Sequence, residues 1–190
     1  MNLSEEELAK LVRERNALMM AVANVTLVWG NLENALVLML DGILSKSKHT
    51  NELPISSAIL YATTSLEARI DIVDAVFKLV APSLPEAEYV ADRWGRLVKR
   101  IKSQKATRNA VAHGQITQIQ FGRAPGWRLI PPLFSPKMGV RMAGNNRIGY
   151  SANELEQSAG SVVDITQTIA QIGSLVRRAR TGDSATCTQI

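Results

Sequence analysis

The sequence is poor in the residues from which disulfides and metal sites are made. Its 190 residues include one cysteine, Cys187, and two histidines. A single cysteine cannot form an internal disulfide, and the histidines show neither the His-x-x-x-His spacing nor the clustered carboxylates of a zinc site. We therefore expect no metal ion and no cofactor.

Several catalytic signatures are missing as well. The sequence has no glycine-rich loop for nucleotide phosphates, and no serine or cysteine nucleophile beside a recognisable base. These absences argue against the usual classes of enzyme.

A secretory leader and a membrane span are not expected. Residues 1–7 are acidic where a secretory signal would be basic and then apolar. The most apolar window, residues 17–44, contains acids, each of which costs about 2.5–3.5 kcal/mol at a membrane midplane. The polar and acidic residues that interrupt it are Asn24, Asn31, Glu33, Asn34 and Asp41. We predict a cytoplasmic protein, not bound to a membrane, in which this window is a core helix.

Acidic residues are missing from the middle of the chain. Between Arg93 and Tyr150 there are twelve Lys or Arg residues and no Asp or Glu, although the whole chain has 17 acidic residues. A segment of this kind attracts polyanions, so nucleic acid is a natural partner. A solvated basic face that serves solubility is the other interpretation.

Composition and periodicity predict one mainly α domain over residues 1–180, with a flexible tail over residues 181–190. Hydrophobic residues make up 46% of the chain and charged residues 21%, which is globular composition. Apolar residues recur every three or four positions over residues 4–44, 55–81, 85–112 and 151–180, which predicts four main helices. The first is expected to bend or break near Asn16 or Gly30.

Local signals mark the predicted helix ends. Gly114 follows the third helix and is expected to take the left-handed conformation common after a helix. Ser-x-x-Glu capping boxes mark three starts. These are Ser4 with Glu7, Ser83 with Glu86, and Ser151 with Glu154.

Residues 114–150 cannot be helical, because they hold six of the twelve glycines and four of the seven prolines. Residues 115–121 and 127–130 flank a turn-forming segment and predict a short β-hairpin. Residues 147–150 are a candidate third strand. The predicted architecture is a four-helix up-down bundle with a β-hairpin insertion between helices 3 and 4.

The candidate site lies at the end of the third predicted helix. Asn109 and His113 stand four residues apart and share a helix face, and the long side chain of Arg108 can reach them. Basic residues precede them on the same helix and are candidate RNA contacts. They are Lys99, Arg100, Lys102 and Lys105.

The pattern of Arg108, polar Asn109, three further residues and His113 resembles the signature of the HEPN superfamily. Together with Trp29 and Glu33 on the first helix, it looks most like the small stand-alone bacterial members. The resemblance covers about residues 17–180, with residues 114–150 as a departure in length. It implies a site shared by two copies in a homodimer and, for many members, metal-independent endoribonuclease activity.

These residue types suit RNA cleavage through the 2′-hydroxyl. Histidine can transfer protons near neutral pH, and a guanidinium binds phosphate oxygens. Asn109 could orient either group. One chain offers a single suitably placed histidine, since His49 lies in the polar segment 46–52, so a two-fold dimer is part of the hypothesis.

Each of these residues also has a structural interpretation. His113 could cap helix carbonyls, Arg108 could pair with Glu33 or Glu67, and Glu33 could be that partner or a buried hydrogen-bonding anchor. The four basic residues are solvated unless the cleft exists. Trp29 and Trp94 are expected core aromatics, and Trp127 is a hairpin packing residue or a platform for base stacking.

Three functions follow as hypotheses. The first is a homodimeric HEPN-type endoribonuclease that is toxin-like or acts in phage defence, with a cognate antitoxin or a nucleotidyltransferase-type protein as further partner. The second is a non-catalytic HEPN-like module that binds RNA, nucleotide or protein. The third is a purely structural helical protein.

Overall fold

The computed structural model describes residues 4–45, 53–121, 124–131 and 149–182, and it is mainly α-helical, as predicted. One two-stranded antiparallel hairpin accompanies the helices in this described part. The helices are α1 (Glu5–Leu44), α2 (Leu53–Tyr61), α3 (Leu66–Val80), a short 3-10 helix (Ala81–Ser83), α4 (Ala87–Ser103), α5 (Lys105–His113) and α6 (Ala152–Thr181). The strands are β1 (Gln115–Phe121) and β2 (Ala124–Ile130).

α1 is one continuous helix, so a break near Asn16 or Gly30 is wrong, and a bend there stays a prediction. Gly30 costs about 1 kcal/mol relative to alanine in a helix interior, and the deeply buried Trp29 and Leu32 beside it hold the helix in place. The predicted capping box is present at its start. The Ser4 backbone N–H donates to the Glu7 carboxylate at 2.8 Å, and the Glu7 N–H donates to the Ser4 hydroxyl at 3.2 Å.

In the described part of the chain, α1 is also the helix that is long and apolar enough to cross a membrane. Of its most apolar window, 61% is buried inside the protein. A buried core helix passes the same test of length and composition, so the cytoplasmic location stays a prediction.

The predicted helix over residues 55–81 is two helices, α2 and α3. α2 ends at Tyr61, and Ser65 caps α3 by accepting a hydrogen bond from the Ala68 N–H at 3.5 Å. The Thr63 hydroxyl donates to the Leu60 carbonyl at 3.0 Å. Hydroxyl side chains that bond to nearby backbone in this way compete with a continuous helix.

The predicted helix over residues 85–112 starts later and is interrupted. Glu86 has a φ of 52°, in the left-handed region, so α4 begins after it and the predicted Ser83–Glu86 box does not form. Instead, the Ser83 hydroxyl donates to the Val80 carbonyl at 2.7 Å. Gln104 separates α4 from α5.

The predicted hairpin is confirmed, with a shorter turn than expected. β2 begins at Ala124, inside the segment expected to form the turn, and Gln118 pairs with Trp127 in the antiparallel register. Of the candidate third strand, Tyr150 forms an isolated bridge to Leu129, and residues 147 and 148 lie outside the described residues.

The chain forms two compact units, which share helices α1 and α6. Unit 1 consists of Met1–Trp29 and Gln104–Val162, and unit 2 of Gly30–Ser103 and Val163–Ile190. The single domain over residues 1–180 stays a prediction, and the tail beyond residue 182 lies outside the described residues.

Each unit has its own buried core. In unit 2, Trp94 is 1% exposed, its ring centroid lies 5.0 Å from that of Phe77, and its indole N–H donates to Asp74 at 3.0 Å. In unit 1, Trp29 is buried, so both tryptophans are the core aromatics that were predicted. The other buried side chains of unit 1 include Leu18, Val25, Leu155 and Val162.

Candidate nucleic-acid interface

Helix α5 is a separate element of unit 1, and it follows Gln104, whose side chain forms hydrogen bonds. The Gln104 side-chain oxygen accepts a hydrogen bond from the Ser158 hydroxyl at 2.9 Å, and its nitrogen donates to Ser161 at 3.4 Å. Both serines lie on α6, so Gln104 ties the start of α5 to that helix. The sequence did not single out Gln104, because a long-range hydrogen bond between polar side chains leaves no periodic signal.

The end of α5 is fixed by Gly114, although not in the way predicted. Gly114 has a φ of −81° and a ψ of 175°, so it is extended and the expected left-handed conformation is wrong. Its N–H donates to the Ala110 carbonyl at 2.7 Å. A Cβ atom here would lie 2.3 Å from the Ala110 oxygen and 2.6 Å from the Ile130 oxygen. Glycine is required because β2 passes close to the end of the helix.

The three predicted catalytic residues all lie on α5. Arg108 and Asn109 are half-buried, and His113 is exposed in the last turn, one turn beyond Asn109. No hydrogen bond or ion pair to any described residue holds the imidazole of His113. Since the Gly114 N–H already bonds to the carbonyl of Ala110, the capping role considered for His113 has no support among the described residues.

Glu33 has a structural partner in unit 2. It forms an ion pair with the guanidinium of Arg69, whose remaining N–H groups donate to backbone carbonyls. Glu33 therefore has a structural partner, Arg69, that the sequence did not predict, and it is half-buried. The pairing of Arg108 with Glu33 or Glu67 stays a prediction.

Of the four predicted RNA contacts, three lie on α4 in unit 2 and Lys105 lies on α5 in unit 1. All four side chains are exposed. Arg100 forms an ion pair with Asp164 at 2.6 Å, and Lys102 forms one with Asp71 at 2.7 Å. The hydrogen bond that Lys102 donates to Asp71 raises the pKa of Lys102. Exposed ion pairs contribute about 0–1 kcal/mol, so a phosphate can displace these acids.

Lys99 differs from its two neighbours on α4. It is exposed, and within the described residues it forms no ion pair. Lys99 is therefore the α4 residue that can meet a phosphate without first losing a protein partner.

Trp127 on the hairpin already has a cation over its ring. The guanidinium carbon of Arg15 lies 5.7 Å from the ring centroid, and the indole N–H is buried without a hydrogen-bond partner among the described residues. The contact joins α1 to β2 within unit 1. This arrangement favours the packing role of Trp127 over base stacking, and Arg15 is a residue that sequence reasoning did not identify.

No cluster of His, Cys, Asp or Glu that could hold a metal ion occurs among the described residues. The candidate site itself consists of one exposed imidazole, an amide one turn before it, and a neighbouring guanidinium.

Comparison with known proteins gives no relative for this chain. No family model matches it, and neither a curated protein nor a solved structure does. The resemblance to the HEPN superfamily stays a prediction that depends on residues 108–113 and their helical setting.

Proposed function

We propose that this chain is a metal-independent endoribonuclease of the HEPN type, built on a four-helix bundle, that acts as a homodimer. RNA is the proposed substrate. A toxin-like or phage-defence role in the cytoplasm, with a cognate antitoxin or a nucleotidyltransferase-type partner, extends the proposal.

The observation that carries the proposal is the exposure of His113 at the end of α5. Its imidazole has no hydrogen bond within the described part of the chain, and Asn109 lies on the same helix face. Arg108 precedes Asn109 on this helix, and residues 93–150 contain no acid. An RNA phosphate can therefore approach this imidazole, because no residue near it in the sequence carries a carboxylate that would repel the phosphate.

The reaction follows from these groups. His113 takes the proton of the 2′-hydroxyl, the 2′-oxygen bonds to phosphorus, and the bond from phosphorus to the 5′-oxygen breaks. The leaving 5′-oxygen receives a proton from the imidazolium of the second copy. Arg108 binds the non-bridging oxygens, where negative charge accumulates, and Asn109 orients the imidazole. The products are a 2′,3′-cyclic phosphate and a 5′-hydroxyl.

The test is cleavage of a mixed single-stranded RNA pool in EDTA by wild type and by His113→Ala. Since general acid–base catalysis contributes about 100-fold or more, we expect a loss of at least that size in His113→Ala. His49→Ala is the matched control, because it removes the other imidazole of the chain. Equal cleavage by His113→Ala and wild type would contradict the assignment.

A non-catalytic module that binds RNA, nucleotide or protein is the second candidate. The exposed side chains of Lys99, Arg100, Lys102 and Lys105 favour it, because electrostatic binding needs no imidazole. RNA retained equally by wild type and His113→Ala, with no cleavage by either, would identify this function.

A further inference from the structure

The outer face of α1 in unit 1 carries an apolar stripe with no partner in the described part of the chain. The stripe consists of Val12, Asn16, Met19, Met20, Ala23 and Leu27, which are all exposed. Its four large apolar side chains are exposed to 51% at Val12, 46% at Met19, 70% at Met20 and 69% at Leu27. Scattered exposed apolar residues are ordinary, whereas a contiguous helical stripe of them marks a contact surface.

Two contacts bound this stripe within unit 1. On one side Arg15 lies over the ring of Trp127 on the hairpin. On the other side Asn24 donates to the Glu156 carboxylate on α6 at 2.8 Å. Arg13 lies on the same side as Asn24, because a separation of 11 positions makes about three helical turns. The stripe thus has a hairpin rim and an α6 rim.

We propose that this stripe is the homodimer interface, on which the α1 helix of a second copy packs in antiparallel orientation. This inference rests on the proposed function, which requires two copies of the chain. It adds the surface through which the two copies associate.

The stripe is symmetric about its own midpoint, which lies between Met19 and Met20. Residues at equal distances from a two-fold axis meet each other across an antiparallel interface. The resulting pairs are Met19 with Met20, Val12 with Leu27, and Asn16 with Ala23. Large apolar side chains therefore meet large apolar side chains, and small Ala23 leaves room for the amide of Asn16.

Charge selects the antiparallel orientation over the parallel one. If the two helices ran parallel, the α6 rim of one copy would face the hairpin rim of the other. Arg13 of one copy would then lie at the level of Arg15 of the other and repel it. In antiparallel helices, each rim meets the same rim of the partner. Arg13, which is exposed, then lies close to Asn24 and Glu156 of the second copy, and the guanidinium meets a carboxylate.

The size of the stripe also fits a second copy. Side chains of this kind at these exposures present roughly 100 Å² each, so two stripes with their polar rims bury on the order of 1,000 Å², where specific interfaces begin.

The antiparallel pairing also agrees with the proposed site. Because each rim meets the same rim, the two hairpins lie on one side of the α1 pair. β2 approaches the end of α5 at Gly114, so both copies present the His113 end of α5 on that side. The interface thus places both imidazoles on the same side of the α1 pair.

Disulfide cross-linking of the full chain tests the geometry. In a Cys187→Ser background, the double variant Val12→Cys with Leu27→Cys should give a covalent dimer on oxidation, because the two positions meet across the axis within the ~7 Å that a disulfide spans. Neither single variant should cross-link. A dimer from either single variant means parallel helices, and no cross-link in any variant means another surface; both results overturn the inference.

Sedimentation equilibrium tests the energetics. We expect Met20→Glu to weaken the dimer by about 100-fold or more, because it places a charge at the centre of the interface. The matched control is Leu79→Glu on α3, which also replaces an exposed apolar side chain by glutamate, at a residue that is 80% exposed, and it should leave association unchanged. Arg13→Glu should weaken the dimer, and Arg13→Glu combined with Glu156→Arg should restore it.

Association is measured apart from cleavage, so the two proposals fail separately. A wild-type chain that stays monomeric up to about 100 μM overturns the inference. RNA cleavage that persists in monomeric Met20→Glu overturns it as well. A dimer that cross-links as stated but cuts no RNA supports the interface and contradicts the ribonuclease.

Discussion

At the scale of single residues, Gly114 occupies a position that has no room for a methyl group. The nearest atoms to an added Cβ belong to the backbone, at 2.3 Å on Ala110 and 2.6 Å on Ile130. Backbone atoms cannot rotate away as a side chain can, so the end of α5 and β2 would have to separate. His113 is the preceding residue, and its position depends on this contact.

We therefore expect Gly114→Ala to lower the free energy of unfolding by about 1–3 kcal/mol, the cost of overpacking. Equilibrium denaturation in urea measures it. Gly160→Ala on α6 is the matched control, because its Cβ would meet nothing within 4 Å, and it should raise stability by about 0.5–1 kcal/mol. Equal effects of the two variants would show that close approach is not what requires glycine at position 114.

The capping-box motif predicted the hydrogen bonds correctly only where its residues adopt common, right-handed or extended backbone conformations. Ser151 bonds to Glu154 as expected, with the Glu154 N–H donating to the serine hydroxyl at 3.3 Å. At the start of α1 the hydrogen bond from the Ser4 backbone N–H lowers the pKa of Glu7. The stability that Glu7 contributes is therefore present above its pKa in the unfolded chain, and it is lost as the pH falls through its pKa in the folded chain. The Ser83 box failed because Glu86 is left-handed, which the motif does not reveal.

At the scale of elements, Arg69 joins the end of α2 to α1. Its guanidinium forms an ion pair with Glu33 and donates to the carbonyls of Leu60 and Thr63, while its carbon lies 4.7 Å from the ring centroid of Tyr61. One side chain thus donates to two carbonyls at and just beyond the end of α2. It also neutralises a carboxylate that is largely buried.

We expect Arg69→Met to lower the free energy of unfolding by about 2–4 kcal/mol, because it leaves Glu33 and two carbonyls without this partner. The matched control is Lys78→Met, which removes the ion pair of an exposed lysine with Asp74; since Asp74 keeps its hydrogen bond from Trp94, this change should cost less than about 0.5 kcal/mol. Urea denaturation of both variants measures the difference. A destabilisation by Arg69→Met no larger than that by Lys78→Met would mean that Arg69 does not stabilise the α2–α3 junction.

The limits of the helix predictions have a physical reason. Apolar periodicity continues across residues 62–65 and across Gln104, so it predicted two long helices where there are four shorter ones. Thr63, Thr64 and Ser65 carried a usable signal, since hydroxyl residues favour caps over helix interiors. Gln104 carried no such signal, because the interruption between α4 and α5 coincides with its side-chain hydrogen bonds to Ser158 and Ser161, more than 50 residues away in sequence.

At the scale of the whole molecule, the basic residues of segment 93–150 are not all equally accessible to a polyanion, whereas the composition alone would suggest that they are. Acids from outside the segment bind part of it: Asp164 pairs with Arg100, and Asp71 pairs with Lys102. A sequence shows that residues 93–150 lack acids but not which distant acids fold against them. Arg108, Asn109 and His113 could be placed on one helix in advance because their relation is local.

Salt dependence of RNA binding separates paired from unpaired cations. On a single strand, each phosphate that a cation neutralises contributes roughly 0.7 to the slope of log K against log[salt], so we expect Lys99→Ala to reduce the slope by about that amount. Fluorescence anisotropy of a labelled single-stranded RNA over a KCl series measures it. The matched control is Arg96→Ala on the same helix, since Arg96 pairs with Asp92, and it should change the slope less. A larger change for Arg96→Ala would contradict the role of Lys99 in binding phosphate.

The division of α6 between the two units has a consequence for synthesis on the ribosome. Leu155, Ala159 and Val162 complete the apolar interior of unit 1, and Ile165, Ile169 and Ile172 complete that of unit 2. Neither interior can close until this helix has left the exit tunnel. At about 5–20 residues per second, the nascent chain spends several seconds with the apolar side of α1 uncovered. Folding of both units therefore follows the synthesis of α6, and until then the apolar side of α1 stays exposed.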